Sequence, residues 1–412
     1  MTDAARLERR INELAQIGRS DDPAREIYGT AVSRLGLTQD EQRARDLVTS
    51  WCLGAEARRD AAANLYLRFA GADANAPVVL VGSHLDSVPM GGRFDGALGV
   101  CCAVEAVVSL VESGVRFARP VNIVGWADEE GARFGVGLFG SAAAFGKLPA
   151  NAAERRDAAG VSIGDALRSL GEHGDPTRAR RDAKAIRAYL ELHIEQGPRL
   201  ERAGVPLGVV SNIVGIFHGR VTIEGRQGHA GATVMGERVD ALVAASHVII
   251  ALERLAKAIP DTVATVGEIA VRPGAKNVIP GECTFSLDIR APTQQSIDHV
   301  LDGLRQELSA LMRGRASATR LEVLQTVAVT PLDPGMRDLL HKSALGVGVT
   351  APSMVSGAGH DAQNPALSGV PTGMIFVRST GGSHTPTEFA AIDDAVLGTR
   401  ALEAAIKALA AR

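Results

Sequence analysis

The chain has 412 residues, 46 % hydrophobic and 22 % charged, with a formal net charge of -3, which suits a soluble globular protein long enough for two domains. Its 44 basic and 47 acidic residues offer no basic stripe for nucleic acid, no run of about 18 uncharged apolar residues marks a membrane span, and the mixed-charge N-terminus lacks the apolar core of a signal peptide. Cys52, Cys101, Cys102 and Cys283 follow neither a disulfide framework nor a zinc spacing, so the expectation is a cytoplasmic protein with buried free thiols.

Helical spacing of apolar residues predicts helices over residues 4–17, 22–35 and 39–58. A continuous apolar strand at 78–81 then runs into Gly82-Ser-His84, followed by a largely apolar helix at 97–111. The strand at 121–126 ends at Asp128-Glu-Glu130, and the strand at 373–377 leads to the loop of His384. Strands buried on both faces and alternating with helices indicate an α/β domain with a mostly parallel central sheet. Residues 151–184 are polar and Arg-rich and read as a surface excursion.

The pattern changes between residues 212 and 329. Alternating strands at 219–224, 284–290 and 321–324, a fourth at 263–270, and long helices at 237–258 and 294–312 predict an inserted α+β domain with a four-stranded antiparallel sheet and two helices. The expected division is 1–211 with 330–412 for a catalytic domain, and 212–329 for a lid and dimerisation domain. Hinges are expected near 211–215 and 328–330.

Five dispersed clusters carry residue types that divalent metals take. They are His84-Leu-Asp86, Asp95 in Gly91-Gly-Arg-Phe-Asp-Gly96, Glu129-Glu130, His193 in Glu191-Leu-His-Ile-Glu-Gln196, and His384 in a glycine-rich loop. A two-ion site needs about five nitrogen and oxygen ligands with one shared. Taken singly each has a plain explanation: Asp95 as a helix N-cap, the paired glutamates as a solvated turn, His193 as a satisfied structural histidine. Together, at strand ends where α/β folds bind ligands, His84, Asp95, Glu130, His193 and His384 form a ligand set. Glu129 then acts as general base, and Asp86 can fix the tautomer of His84. In the inserted domain, Arg290 can fork a carboxylate with Asn277 beside it, or can form an ordinary salt bridge, and His229 can reach a ligand or cap a turn. His173, His247, His299 and His341 lie on helices or polar loops without partners and are read as ordinary.

With these clusters in this order, the sequence resembles the metal-dependent aminoacylase and carboxypeptidase superfamily, and within it the hydantoinase/carbamoylase family of amidases, from about residue 50 to the C-terminus. The strings that carry the resemblance include Gly82-Ser-His-Leu-Asp-Ser87, Glu129-Glu-Gly-Ala-Arg-Phe134, Gly228-His-Ala-Gly231, Asn277-Val-Ile-Pro-Gly281 and Ser356-Gly-Ala-Gly-His-Asp-Ala-Gln363. The resemblance implies a homodimeric hydrolase with two divalent ions (zinc, manganese, cobalt or nickel), Asp95 bridging them and Glu129 as base. It further implies that Asn277 and Arg290 hold the substrate carboxylate, that His229 comes from the partner subunit, and that Gln196, His360 and His218 lie near the substrate. The implied substrate is an N-carbamoyl-L-amino acid. Alternatives are allantoate, ureidoglycolate, N-carbamoyl-β-alanine, an N-acyl amino acid or a dipeptide, and more distantly a non-catalytic binder of small acids. Ile216-Phe-His218 departs from the Gln-Arg-Arg of allantoate-processing members, Val234 replaces a common proline, and the segment before His384 is one residue short.

Overall fold

The computed structural model describes residues 2–20 and 31–411, which divide into two compact units, Met1–Ser211 with Pro331–Arg412, and Asn212–Thr330. In the first unit the strands order as Glu56–Arg59, Leu65–Phe69, Val121–Trp126, Val78–His84, Ile186–Ile194, Thr372–Val377, Leu207–Ile213 and Thr330–Pro331, with Ser353–Ser356 also pairing to Leu207–Ile213. The four central strands, from Val121–Trp126 to Thr372–Val377, run parallel. The neighbours on either side, Leu65–Phe69 and Leu207–Ile213, are antiparallel to them.

The central strands are buried nearly throughout, which explains their unbroken apolar runs. Ile186–Ile194 is the exception in composition: its sequence alternates polar and apolar, yet only Arg187 is exposed. Its polar members Glu191 and His193 are hydrogen-bonded inside the protein. The helix Ala97–Glu112 buries thirteen of its residues, and with Ala4–Leu14, Pro334–Gly346 and Ile392–Ala410 it encloses the main core. A second cluster unites Leu37, Ala127, Phe139, Ile163 and Leu167. The excursion at 151–184 is therefore anchored by the buried face of Ile163–Ser169.

Three helix predictions in the first unit need correction. Residues 21–30 lie outside the described residues, but 31–35 are extended rather than helical. Val32 exchanges backbone hydrogen bonds with Gly91, and Arg34 is buried with its guanidinium on the carbonyls of Leu14, Ile17 and Leu85. The helix expected to reach residue 58 ends at Ser50, and Gly54 follows with φ +84°. Beyond it Glu56–Arg59 forms a strand. The first helix closes at Leu14.

In the second unit, Ile269–Arg272, Glu282–Ala291, Gly215–Glu224 and Ala318–Val327 form an antiparallel sheet, with Ala241–Lys257 and Gln294–Leu311 packed over its apolar face. The strand expected at 263–270 is broken in two. Val263–Thr265 pairs with Asp288–Arg290 and Ile269–Arg272 with Glu282–Phe285. Between them the N–H groups of Gly267 and Glu268 donate to Ser286 Oγ, 3.2 and 3.0 Å away, while Ser286 N donates to the Glu268 carbonyl at 3.0 Å. The helix expected from residue 237 starts at Ala241, where Asp240 caps the amides of Leu242 and Val243. All four cysteines are free and buried, and among the described residues no helix is long and apolar enough to cross a membrane.

Candidate metal centre

Four parallel strands deliver the site from their carboxyl ends. His84 is the last residue of Val78–His84, and Asp128-Glu-Glu130 follows Val121–Trp126 by one residue. His193 is the penultimate residue of Ile186–Ile194, and the His384 loop follows Thr372–Val377. Asp95 sits between Val78–His84 and the helix Ala97–Glu112, whose N-cap Gly96 adopts φ +61°. A Cβ at Gly96 would run into the His84 imidazole, so only glycine lets the Asp95 turn lie this close to the histidine.

His84 Nδ1 lies 3.2 Å from the Asp86 carbonyl oxygen and 3.4 Å from Asp86 Oδ1, partners that can only accept and therefore place the proton on Nδ1. His193 Nδ1 likewise donates to the Ile194 carbonyl at 3.0 Å. His193 Nε2 consequently turns its lone pair inward, where it accepts from Gly96 N at 3.2 Å, and His84 Nε2 faces it at 3.4 Å. Asp95 Oδ1 stands 3.4 Å from His84 Nε2 and 3.1 Å from His193 Nε2. The other Asp95 oxygen, Oδ2, faces His384 Nε2 at 3.6 Å, and His384 meets Glu130 Oε2 at 3.2 Å. Among the described residues four donor groups result, each with its ligand atoms within 4.8 Å of one another: His84, Asp95 and His193; His84, Glu129 and Glu130; Asp95, Glu130 and His384; and Glu191, His193 and His360.

This arrangement fits divalent cations. Asp95 offers one oxygen to the His84–His193 side and one to the Glu130–His384 side, and Glu130 Oε1 is buried without a hydrogen-bond partner among the described residues. Inward lone pairs and carboxylates at such spacing repel unless a proton or a cation intervenes. Burial opposes charge on His84, but Glu129, Asp86 and Asp95 together raise its pKa well above the ordinary imidazole value. Burial likewise pushes Asp95 up, and His193 and His84 more than reverse this, holding it well below the carboxylate range. A metal would take over the position that the proton holds.

Glu129 Oε2 is 3.8 Å from His84 Nε2. Burial raises its carboxyl well above the usual value, with His84 opposing and Glu130 adding to the rise, which suits a group that must accept a proton. Asp86 holds this turn by its backbone: Oδ1 accepts from Glu129 N at 2.9 Å and Oδ2 from Glu130 N at 3.1 Å. Asp128 itself has φ +49°, and its amide donates to buried Glu41 at 3.1 Å. Gln196 Nε2 donates to Asp95 Oδ2 at 2.7 Å. His360 packs edge-on against His193 at 4.5 Å between centroids. Because Ser356 Oγ donates to the Ala358 carbonyl, its 2.9 Å contact to His360 Nε2 requires the proton on that nitrogen. Burial keeps His360 well below the ordinary imidazole pKa and so neutral.

The remaining expected residues belong to the second unit. Arg290 forks Asp288 through Nε and an NH2 at 3.0 and 2.9 Å, and His218 Nε2 lies 3.5 Å from the same carboxylate. His229 and Asn277 meet at the small two-stranded ribbon of Gly228–His229 and Val278–Ile279, where Ala230 N donates to the Asn277 carbonyl. His229 Nδ1 accepts from Gly231 and Ala232 N at 3.0 and 3.1 Å. The proton of this exposed ring therefore sits on Nε2. Two histidines read as partnerless have partners: His247 with Arg315 at 2.8 Å, and His341 with Ser353 at 3.0 Å. Sequence reasoning missed Glu388, Ser383 and Glu41, which act on backbone amides or on other side chains and carry no spacing signal.

The pattern described as Peptidase family M20/M25/M40 matches residues 80–408. The chain belongs to this family. It is 40 % identical over 408 residues to an N-carbamoyl-L-amino acid amidohydrolase of Geobacillus stearothermophilus, covering 98 % of this chain and 97 % of that one. It is 36 % identical to an allantoate amidohydrolase of Bacillus subtilis, covering 95 % and 94 %. A solved hydantoinase/carbamoylase family amidase from Burkholderia multivorans superimposes with a TM-score of 0.90 at 34 % identity, covering 100 % of this chain and 98 % of that chain. These M20 relatives are amidohydrolases acting on C–N bonds, and the donor groups around Asp95 agree with a metal-dependent hydrolase.

Proposed function

We propose that the chain removes the carbamoyl group from an N-carbamoyl-L-amino acid, yielding the amino acid, ammonia and carbon dioxide. The observation that carries this reading is the convergence of His84, Asp95, Glu130, His193 and His384 around a carboxylate with two outward oxygens, with Glu129 beside them. Full-length similarity to carbamoyl-amino-acid hydrolases supports the substrate class.

The five residues would hold two divalent ions, zinc or alternatively manganese, cobalt or nickel. When bound, such ions supply Lewis acidity, lowering the pKa of water from 15.7 towards about 7 and polarising a carbonyl. Glu129 takes the proton from the attacking water and delivers it to the amino-acid nitrogen as the C–N bond breaks. Carbamate leaves and decomposes to ammonia and carbon dioxide. Asp86 holds the Glu129 and Glu130 backbone in place through its two amide contacts, and Gln196 and His360 wall the Asp95–His193 side.

His229, with its proton on Nε2, can donate to the developing oxyanion, a contact commonly worth about 3 kcal/mol. Arg290, aimed by Asp288, and Asn277 would bind the substrate carboxylate, with His218 beside the same Asp288. We place His229 on the partner subunit of a homodimer formed through the 212–330 unit. The outer strand Ala318–Val327, which exposes Val323 and Leu324, supports such an interface, and equilibrium sedimentation tests it. The four free buried cysteines accord with a cytoplasmic location. Allantoate is the second reading, favoured by the Bacillus subtilis relative and disfavoured by Ile216-Phe-His218.

The test is ammonia release from N-carbamoyl-L- and D-amino acids, N-carbamoyl-β-alanine, allantoate and ureidoglycolate, using chelated enzyme reconstituted with each metal. Metal-dependent turnover of an L-carbamoyl substrate is expected. Glu129→Gln should lose at least about 10²-fold in kcat while retaining its metal, and a near-normal rate would remove Glu129 from the mechanism.

A further inference from the structure

The His384 loop is closed at its stem by Thr380 and Phe389, which exchange backbone hydrogen bonds of 2.8 and 3.0 Å. Inside the stem, Thr387 Oγ1 donates to the Gly381 carbonyl at 2.8 Å. Glu388, the next residue, bridges its own loop to the Asp95 turn. Its Oε1 accepts the amides of both Phe94 and Asp95, each at 3.0 Å. Its Oε2 meets Ser383 Oγ at 3.2 Å, and that hydroxyl also lies 2.7 Å from Asp95 Oδ2. Glu388 is only 5 % exposed, and a Cβ at Gly92 would run into its carboxylate. Gly92 thus makes room for this side chain to reach the Asp95 turn.

One carboxylate therefore ties together two separate segments, about 290 residues apart in sequence, at the point where Asp95 and His384 face each other. We infer that Glu388 is a positioning residue that locks the Asp95 turn to the His384 loop and so sets the separation of the shared carboxylate from the His384 imidazole. Glu388 touches neither the reacting atoms nor the donor atoms of the ligands. It acts through the Asp95 amide and through the Ser383 hydroxyl. The inference rests on the metal-centre reading above.

The experiment compares Glu388→Ala, Glu388→Gln and Ser383→Ala with the unmodified chain in two measurements: metal dissociation constants by chelator competition, and thermal unfolding of the metal-free proteins. Glutamine keeps a carbonyl acceptor for the two amides and an NH2 that can donate to Ser383, so it should hold the metal within about threefold of the unmodified chain. Glu388→Ala should weaken binding about tenfold or more, the effect typical of groups that orient ligands, and Ser383→Ala about threefold or more. If Glu388→Ala does not fold, Glu388→Gln and Ser383→Ala decide alone. Metal affinity unchanged in Glu388→Ala, or equal losses in the glutamine and alanine variants, would overturn the inference. So would a lowered unfolding temperature without weaker metal binding. An unmodified chain that binds no metal would instead sink the metal-centre reading and this inference with it.

Discussion

Asp86→Asn is expected to lower kcat/KM about 100-fold at full metal occupancy, and the size follows from the contacts it changes. The carboxylate accepts Glu129 N on one oxygen and Glu130 N on the other, and it stands beside His84 Nδ1. Asparagine preserves size and one acceptor, but its NH2 must face an amide N–H, so one charge-assisted bond is lost and a donor meets a donor. The lost bond is worth about 1.5–3 kcal/mol, and an unsatisfied buried N–H costs about 1–3 kcal/mol more. Part of this relaxes as the turn shifts, and that shift carries Glu129 and Glu130 out of position. About 3 kcal/mol expressed in the transition state corresponds to roughly 100-fold, at about 1.36 kcal/mol per tenfold. Ammonia release measured at saturating metal separates this effect from weakened metal binding. A variant within threefold of the unmodified kcat/KM at equal metal content would refute the reasoning.

Gly96→Ala should weaken metal binding about tenfold or more and lower the unfolding temperature, because φ +61° disfavours a side chain by about 1–2 kcal/mol and the methyl would displace His84; unchanged metal affinity would contradict it. Arg290→Ala should raise KM about tenfold or more with kcat largely kept, and Arg290→Lys should not restore it because a lysine cannot fork Asp288. A fall in kcat at constant KM would argue against carboxylate binding. Glu105→Ala should cost about 3–5 kcal/mol in denaturant unfolding, since Glu105 is fully buried between Arg6 and Arg10 and its loss leaves the buried Arg10 guanidinium without a carboxylate. A loss under about 1 kcal/mol would show that water reaches Arg10.

The parallel core was legible because strands such as Val78–His84 and Val121–Trp126 are buried on both faces and must be apolar throughout. The candidate ligands were legible because few residue types can hold a divalent ion, and they fall where parallel strands end. Local propensity failed where tertiary contacts decide conformation. Residues 31–35 carry helical spacing, yet Val32 pairs with Gly91 and Arg34 fills a nest of carbonyls. The break between Thr265 and Ile269 depends on one hydroxyl, Ser286, arriving from the opposite strand.

Legibility also ended at the acceptors that brace the candidate ligands through backbone amides. A metal ligand must be one of a few residue types, so it stands out in a sequence. The group it depends on through the backbone does not: Glu41 and Glu388 accept amide N–H groups, as Asp86 does beyond the His84 contact that its spacing foretells, and every residue except proline offers an amide. The recipients at 94, 95, 128, 129 and 130 therefore carry no mark of being held, and the distance in sequence from Glu388 to Phe94 hides the pairing further. Such acceptors are set by the turn they support rather than by a motif. Substitutions that keep an acceptor in place, such as glutamine for Glu388, should accordingly be tolerated where substitutions at the candidate ligands are not.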